Sequence, residues 1–157
     1  MTQRPLVVIE SPYKGHPPAW VPWPMREVVA RAIELGNREY AMRCVLDSLS
    51  RGEAPYASHV FFTMNGLLRD HIPHERDVGM EVGFRWGHHA DLRVFYCDRG
   101  ISDGMRLARL RMPQSQGLEY RYIMRTGDAV PRCVNLECKR VLPMEEPRCP
   151  TCLTWRK

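Results

Sequence analysis

The stretch Leu6-Val7-Val8-Ile9-Glu10-Ser11-Pro12-Tyr13-Lys14-Gly15 decides the fold of this chain. It opens with a short apolar run that is rich in β-branched residues, which predicts a buried strand. Ser11 to Gly15 then supply the turn chemistry that ends a strand. The chain therefore begins with a buried strand whose carboxyl end opens into a polar turn.

The segment after this turn predicts an exposed loop and then a long helix. His16 to Pro24 holds four prolines and two tryptophans, which excludes regular structure. From about Met25 to Ser50 the apolar residues follow helical spacing, with Gly36-Asn37 as a weak point and Arg51-Gly52 as a typical end. The apolar positions are Val29, Ile33, Tyr40, Cys44 and Leu49.

Strands and helices alternate along the remainder of the first 124 residues. The expected elements are a strand Ala57–Phe62, a helix from Pro73 to about His88, a strand Leu92–Tyr96, a helix from Asp103 to about Met112 with Ser102 as N-cap, and a strand Leu118–Ile123. This alternation predicts an α/β domain over residues 1–124: a doubly wound, flavodoxin- or Rossmann-like parallel sheet of about four to five strands.

Composition limits the class of protein. The chain has 157 residues, of which 44% are hydrophobic and 26% charged, and these values are ordinary for a globular protein. No apolar run approaches the roughly 20 residues that a membrane span needs. The formal net charge of +5 is compatible with phosphate ligands or nucleic acid. With no secretory signal, we expect a cytoplasmic location and no membrane partner.

The last 25 residues carry a cluster of cysteines with metal-ligand spacing. Residues 125–132 form a polar linker, and residues 133–157 are too few to fold by burial of a core alone. Four thiolates on two short knuckles suit a structural zinc ion, so we expect a zinc ribbon in preference to disulfides or unpaired cysteines. The expected ligands are Cys133, Cys138, Cys149 and Cys152. Such a ribbon could bind nucleic acid, bind a protein, or cap the domain.

Polar residues of three segments should meet at the carboxyl edge of the sheet, where α/β sheets bind ligands. The candidate ligand-binding residues are Ser11, Lys14, Gly15, His59, Gly100, Ser102, Gly104 and Met105, with Tyr13 and Asp98 as catalytic candidates. The helix that starts after Ser102 offers free backbone N–H groups to an anion. Two plainer interpretations stay open: Ser102 as an ordinary N-cap, and His59 as a buried, hydrogen-bonded histidine.

Three motifs together resemble a known group of proteins. They are Ser11-Pro12-Tyr13-x-Gly15, the run from Arg51 to His59, and Asp98-x-Gly100-Ile101-Ser102-x-Gly104-Met105. They resemble an uncharacterised family of bacteria and their phages, which is itself similar to the nucleoside 2-deoxyribosyltransferase superfamily, including nucleoside-monophosphate N-glycosidases. The resemblance covers residues 5–124 and leaves out the cysteine segment.

The resemblance implies an active site at the strand ends and chemistry through a glycosyl ester on a carboxylate. Tyr13 matches the aromatic residue that helps to place nucleophile and ligand, and Ser102 matches the residue that contacts the sugar or the 5′-phosphate. The nucleophilic Glu falls at Ala108, which cannot form the ester. Either the domain binds without cleaving, or another carboxylate such as Glu81, Asp98 or Asp103 acts, or the chemistry differs. Members of the superfamily often form dimers, which implies a homo-oligomer.

The sequence thus predicts a nucleotide-binding protein with an altered or lost catalytic centre. If it is active, the expected reaction is that of an N-glycosidase or deoxyribosyltransferase on a nucleoside or its monophosphate. The alternative is a non-catalytic interaction module whose zinc ribbon binds nucleic acid or a protein partner.

Overall fold

The computed structural model of the chain describes residues 3–63 and 66–123. In chain order the elements are β1 (Leu6–Glu10), a short 3-10 helix (Trp23–Met25), α1 (Arg26–Ser50), β2 (Ala54–Tyr56), α2 (Ser58–Thr63), α3 (Pro73–Gly87), β3 (Leu92–Tyr96), α4 (Asp103–Arg111) and β4 (Gly117–Arg121). The predicted linker 125–132 and zinc ribbon 133–157 lie outside the described residues.

Four parallel strands form one sheet in the order β2-β1-β3-β4. β1 pairs with β3 from Val7↔Leu92 to Glu10↔Phe95. The predicted α/β class and parallel sheet are thereby confirmed, with four strands. All strands point the same way, so their carboxyl ends lie at one edge of the sheet.

Helices cover both faces of this sheet. On one face, Ile9 and Tyr96 pack with Tyr40 and Cys44 of α1. On the other face, Phe95 packs with Met105 of α4, beside residues of α3. Strands buried on both faces need near-continuous apolar runs, which is why the central strands β1 and β3 could be recognised from the sequence.

The expected second strand, Ala57–Phe62, is wrong. The strand is Ala54–Tyr56, and Ser58–Thr63 is the helix α2. β2 is an edge strand of three residues, where Pro55 is tolerated because one side of the strand needs no ladder partner. In α2 only Val60 is buried whereas Phe61 faces solvent, and the backbone N–H groups of both bond to the Ala57 carbonyl.

The long helix α1 runs unbroken through Gly36-Asn37. Its buried residues include Tyr40 and Cys44, as expected, but Leu49 is exposed instead of lying in the core. The other predicted boundaries agree within two residues, which is the usual uncertainty of helix and strand ends. Among the described helices, none is both long and apolar enough to cross a membrane.

Candidate functional site

A cavity of about 210 Å³ lies at the carboxyl ends of β1 and β3. The chain leaves β1 through α1 toward β2 on one side, whereas β3 and β4 follow on the other side. Such a reversal of strand order is the place where open α/β sheets bind ligands. The volume is below the roughly 300–1,000 Å³ of pockets for drug-sized ligands, which favours a small ligand.

The turn after β1 forms one wall. Ser11 is buried, and its Oγ lies 2.9 Å from Nε2 of His59 at the start of α2. Burial lowers the pKa of His59 to about 4, so its ring is neutral at pH 7. The Tyr13 ring meets the His59 ring edge to face, with centroids 6.1 Å apart. The predicted residues Ser11, Tyr13 and His59 are therefore brought together.

Tyr13 is held at both ends. Its carbonyl accepts a hydrogen bond from Nδ2 of the buried Asn37 at 3.0 Å, and its hydroxyl donates to Oε1 of Glu34 at 3.1 Å. Burial, in the first place, raises the pKa of Tyr13, so the hydroxyl stays protonated at neutral pH. The weak point that the sequence shows at Gly36-Asn37 thus has a positioning role, because Asn37 fixes the backbone of the turn.

The N-terminus of α4 forms a second wall. Ser102 is the N-cap, and its Oγ accepts from the backbone N–H of Met105 at 3.3 Å. Ser102, Gly104 and Met105 line the cavity, as does Asp103. A side chain at Gly104 would meet only Arg76 and Ser102, at ordinary contact distances, so glycine leaves the first turn of the helix open to a ligand. Ser102 is therefore an N-cap that also lines the cavity.

The α3 side contributes charges that the sequence analysis did not assign. Arg76 pairs with Asp70, and Glu75 pairs with Arg69. The hydrogen bonds from Arg69 hold the pKa of Glu75 at about 2. Arg76, Asp70 and Glu75 all line the cavity. Because these residues lie in and before the first turn of a helix, local sequence gave no reason to separate them from ordinary helix-capping charges.

Glu10, the last residue of β1, also lines this cavity. It pairs with Arg93 of β3, whose side chain is 1% exposed. Arg93 Nε donates to Oε1 of Gln116 at 3.1 Å, and Gln116 Nε2 donates to the Ala90 carbonyl at 2.9 Å. Burial raises the pKa of Glu10 to about 7 although Arg93 opposes the shift. Sequence reasoning missed Glu10 because it reads as the polar end of an apolar strand.

Three of the predicted site residues lie elsewhere. Asp98 Oδ2 accepts from the Tyr40 hydroxyl at 2.5 Å and from the Ile123 backbone N–H at 3.1 Å, so it braces the end of β3. Gly100 has a φ of +83°, which suits its turn, and does not line the cavity. A Cβ on Gly15 would lie 1.9 Å from the Ala30 carbonyl oxygen, so Gly15 serves the close packing of the turn on α1. The lining residue Lys14 is exposed.

The position expected for the nucleophile is part of the core. Ala108 is 1% exposed and packs in the cluster of Phe95, Cys97, Met105 and Tyr120. It does not line the cavity, and neither does Glu81. Of the three alternative carboxylates, only Asp103 reaches the cavity wall.

The predicted metal ligands Cys133, Cys138, Cys149 and Cys152 lie beyond residue 123, outside the described part of the chain. Within residues 3–63 and 66–123, no group of three or more His, Cys, Asp or Glu side chains is arranged to hold a metal ion. The two cysteines of the described domain, Cys44 and Cys97, are buried.

Comparison with known proteins gives one match. No curated protein and no solved structure matches the chain. Residues 5–123, which span every strand and every wall of the cavity, match the family model described as Domain of unknown function (DUF7768). The chain belongs to the DUF7768 family.

Proposed function

We propose that this protein is a cytoplasmic nucleotide-binding protein whose site is the cavity at the ends of β1 and β3, with a catalytic centre altered from that of the nucleoside 2-deoxyribosyltransferases. One observation carries the proposal. Ser11, Tyr13 and Ser102, which belong to the motifs of the resemblance, line a single cavity at the point where strand order reverses.

The cavity has an end suited to a phosphate. The open N-terminus of α4 presents backbone N–H groups, which favour an anion. Arg76 lies beside it: its Nη2 is 3.7 Å from where a Cβ of Gly104 would stand. Lys14 adds a second cation. A nucleoside monophosphate would therefore place its phosphate against α4 and Arg76.

Glu10 is suited to bind the hydrogen-bond donors of a nucleotide, in contrast to the end of the cavity that suits a phosphate. A carboxylate accepts hydrogen bonds, and sugar hydroxyls and base N–H groups donate them. Glu10 pairs in register with Phe95, and Phe95 packs against Ala108. Ala108 carries no carboxylate, but Glu10 on β1, the strand next to Phe95, does. We therefore assign the role of the carboxylate that faces the ligand to Glu10.

Calorimetry with nucleoside monophosphates and the matching nucleosides tests the binding site. The informative pair is Arg76→Ala and its control Arg85→Ala, an exposed arginine of the same helix that does not line the cavity. We expect Arg76→Ala to weaken monophosphate binding about tenfold or more, because a hydrogen bond to a charged group contributes about 1.5–3 kcal/mol. Nucleoside binding should change little in either variant. Absence of binding by every compound would refute the proposal.

Chromatography for free base decides whether the site cleaves the nucleotides that it binds. Base release that is lost in Glu10→Gln and Tyr13→Phe, but kept in Asp98→Ala, would identify an active site built on Glu10. Asp98→Ala is the useful contrast because Asp98 braces β3 outside the cavity. Binding without release from any substrate would instead identify a recognition site, in agreement with the buried Ala108.

For the C-terminal segment, the proposal is one structural zinc ion held by four thiolates. Its support is the spacing of Cys133, Cys138, Cys149 and Cys152. Elemental analysis of the purified protein should give one zinc per chain, and Cys149→Ser should release it. The alternative function, an interaction module, would be favoured by nucleic-acid binding that is lost with the zinc and falls steeply with salt.

A further inference from the structure

The helix α1 exposes several large apolar side chains on the face that points away from the sheet, which is unusual for a helix that only covers a sheet. Its buried residues are Asn37, Tyr40, Ala41, Cys44 and Ser48, of which Tyr40 is the one large side chain. Its exposed residues include six large hydrophobic side chains, counting Met25 directly before it, and they are between 43% and 66% exposed. Helices of globular proteins normally place apolar residues toward the core and polar residues toward solvent.

The exposed apolar residues repeat every seven positions. One series is Met25, Ala32, Glu39 and Leu46, and the second, three residues later, is Val28, Leu35, Met42 and Leu49. All eight residues are exposed. This alternating spacing of three and four residues, which gives four a and four d positions, is typical of a coiled coil. We call these eight residues the α1 seam.

We propose that the α1 seam is the contact between two copies of this chain, paired as antiparallel α1 helices. A heptad seam is covered by another heptad seam, because its knobs need matching holes. Among the described helices, α1 is the only one long enough to present such a seam. Beyond residue 123 the sequence carries four prolines and no sustained heptad pattern, so it does not offer a matching seam.

The charge at position 39 selects the orientation. Glu39 is the only charged residue of the seam. In a parallel pair, like positions face each other, and two Glu39 carboxylates would meet in the seam and repel. In an antiparallel pair, a residues face d residues, and Glu39 comes opposite Leu35 of the other copy. The same alignment sets Val28 opposite Leu46 and Ala32 opposite Met42.

The size of the seam fits a dimer. From Met25 to Leu49 the helix extends about 36 Å, and a strip about 10 Å wide on two copies projects to roughly 700 Å². Accessible surface follows the side chains and exceeds its flat projection, so the contact approaches the about 1,000 Å² of a specific interface. A twofold axis makes the one seam sufficient, because each copy contributes the same residues. The proposal does not depend on what the cavity binds.

Sedimentation velocity of the full chain tests the proposal, at about 100 µM with zinc and a reductant present so that cysteines do not link copies. We expect a species of twice the 18.3 kDa chain mass. The double variant Leu35→Lys/Met42→Lys should raise the dissociation constant about 100-fold, because each change enters a symmetric contact twice. The control Leu110→Lys alters a leucine of α4 that is more exposed than Leu35 and Met42, and it should leave the dimer intact. Circular dichroism would verify that each variant is folded.

A monomeric wild-type chain at this concentration, or a dimer unchanged by the double variant, would overturn the proposal. A benzophenone side chain introduced at Val28 adds a positional test. Crosslinks to the segment around Leu46 of another copy support the antiparallel pair. Crosslinks to Val28 of another copy contradict the orientation, and crosslinks to residues 124–157 of the same chain show that the chain covers its own seam.

Discussion

Glu10 and His59 line the same cavity, and burial moves their pKa values in opposite directions. The folded protein keeps a proton on Glu10 up to about pH 7, whereas its ordinary pKa is 4.5, so this group makes stability fall as the pH rises between these values. The folded protein keeps His59 neutral down to about pH 4, whereas its ordinary pKa is 6.5, so this group makes stability rise with pH over that range.

The two effects have similar size. One pKa unit corresponds to about 1.4 kcal/mol, so each change in pKa alters the free energy of unfolding by at most about 3.5 kcal/mol. Both residues keep some solvent contact, which makes the actual effects smaller. In the wild-type protein they largely cancel between about pH 4.5 and 6.5. Glu10→Gln should therefore become more stable as the pH rises through this window, and His59→Gln should become less stable.

Urea unfolding at about pH 4.5, 5.5 and 6.5 measures these slopes for the wild type, both single variants and the double variant. The lowered pKa values of Asp47, Glu53 and Glu75 make stability fall only at lower pH, and they do so equally in all four proteins. Slopes of the same sign in the two single variants would refute the assigned burial.

Three further predictions follow from packing and pairing. Gly15→Ala should lower the free energy of unfolding by about 2 kcal/mol or more, since its Cβ meets the Ala30 carbonyl oxygen at 1.9 Å and backbone cannot yield; thermal unfolding without a shift would contradict this. Glu53→Gln should lower the free energy of unfolding by about 3 kcal/mol, measured by urea unfolding, because the buried Arg121 guanidinium loses the carboxylate that it contacts at 2.6 and 2.7 Å and keeps only the half-exposed carboxylate of Glu119. Ser102→Ala should cost about 1 kcal/mol through the lost N-cap, and calorimetric Tm values of this variant near those of the wild type would argue against the cap.

The elements that the sequence predicted best are those with a single strong local pattern. β3 matched its expected range Leu92–Tyr96, and Ser102 was recognised as an N-cap because its residue type, its position and the following helix agree. β2 failed because three residues at a sheet edge leave no periodic pattern. The aromatic run after it resembles a strand, and only tertiary packing makes it a helix.

About half of the candidate site could be predicted from the sequence. Ser11, Tyr13 and Ser102 follow strands or cap helices, so topology alone brings them to one edge. Glu10 and Arg76 required knowledge of which side chains turn toward the cavity. Strand register determines the direction of the Glu10 side chain, and the packing of α3 determines that of Arg76. Neither can be read from the local sequence.

The brace formed by Asp98 has a consequence for the rest of the chain. By accepting a hydrogen bond from the backbone of Ile123, it fixes the point where the chain leaves the domain, at the same edge of the sheet as the cavity. The chain that follows Ile123 therefore starts from the cavity edge of the sheet and not from the opposite edge.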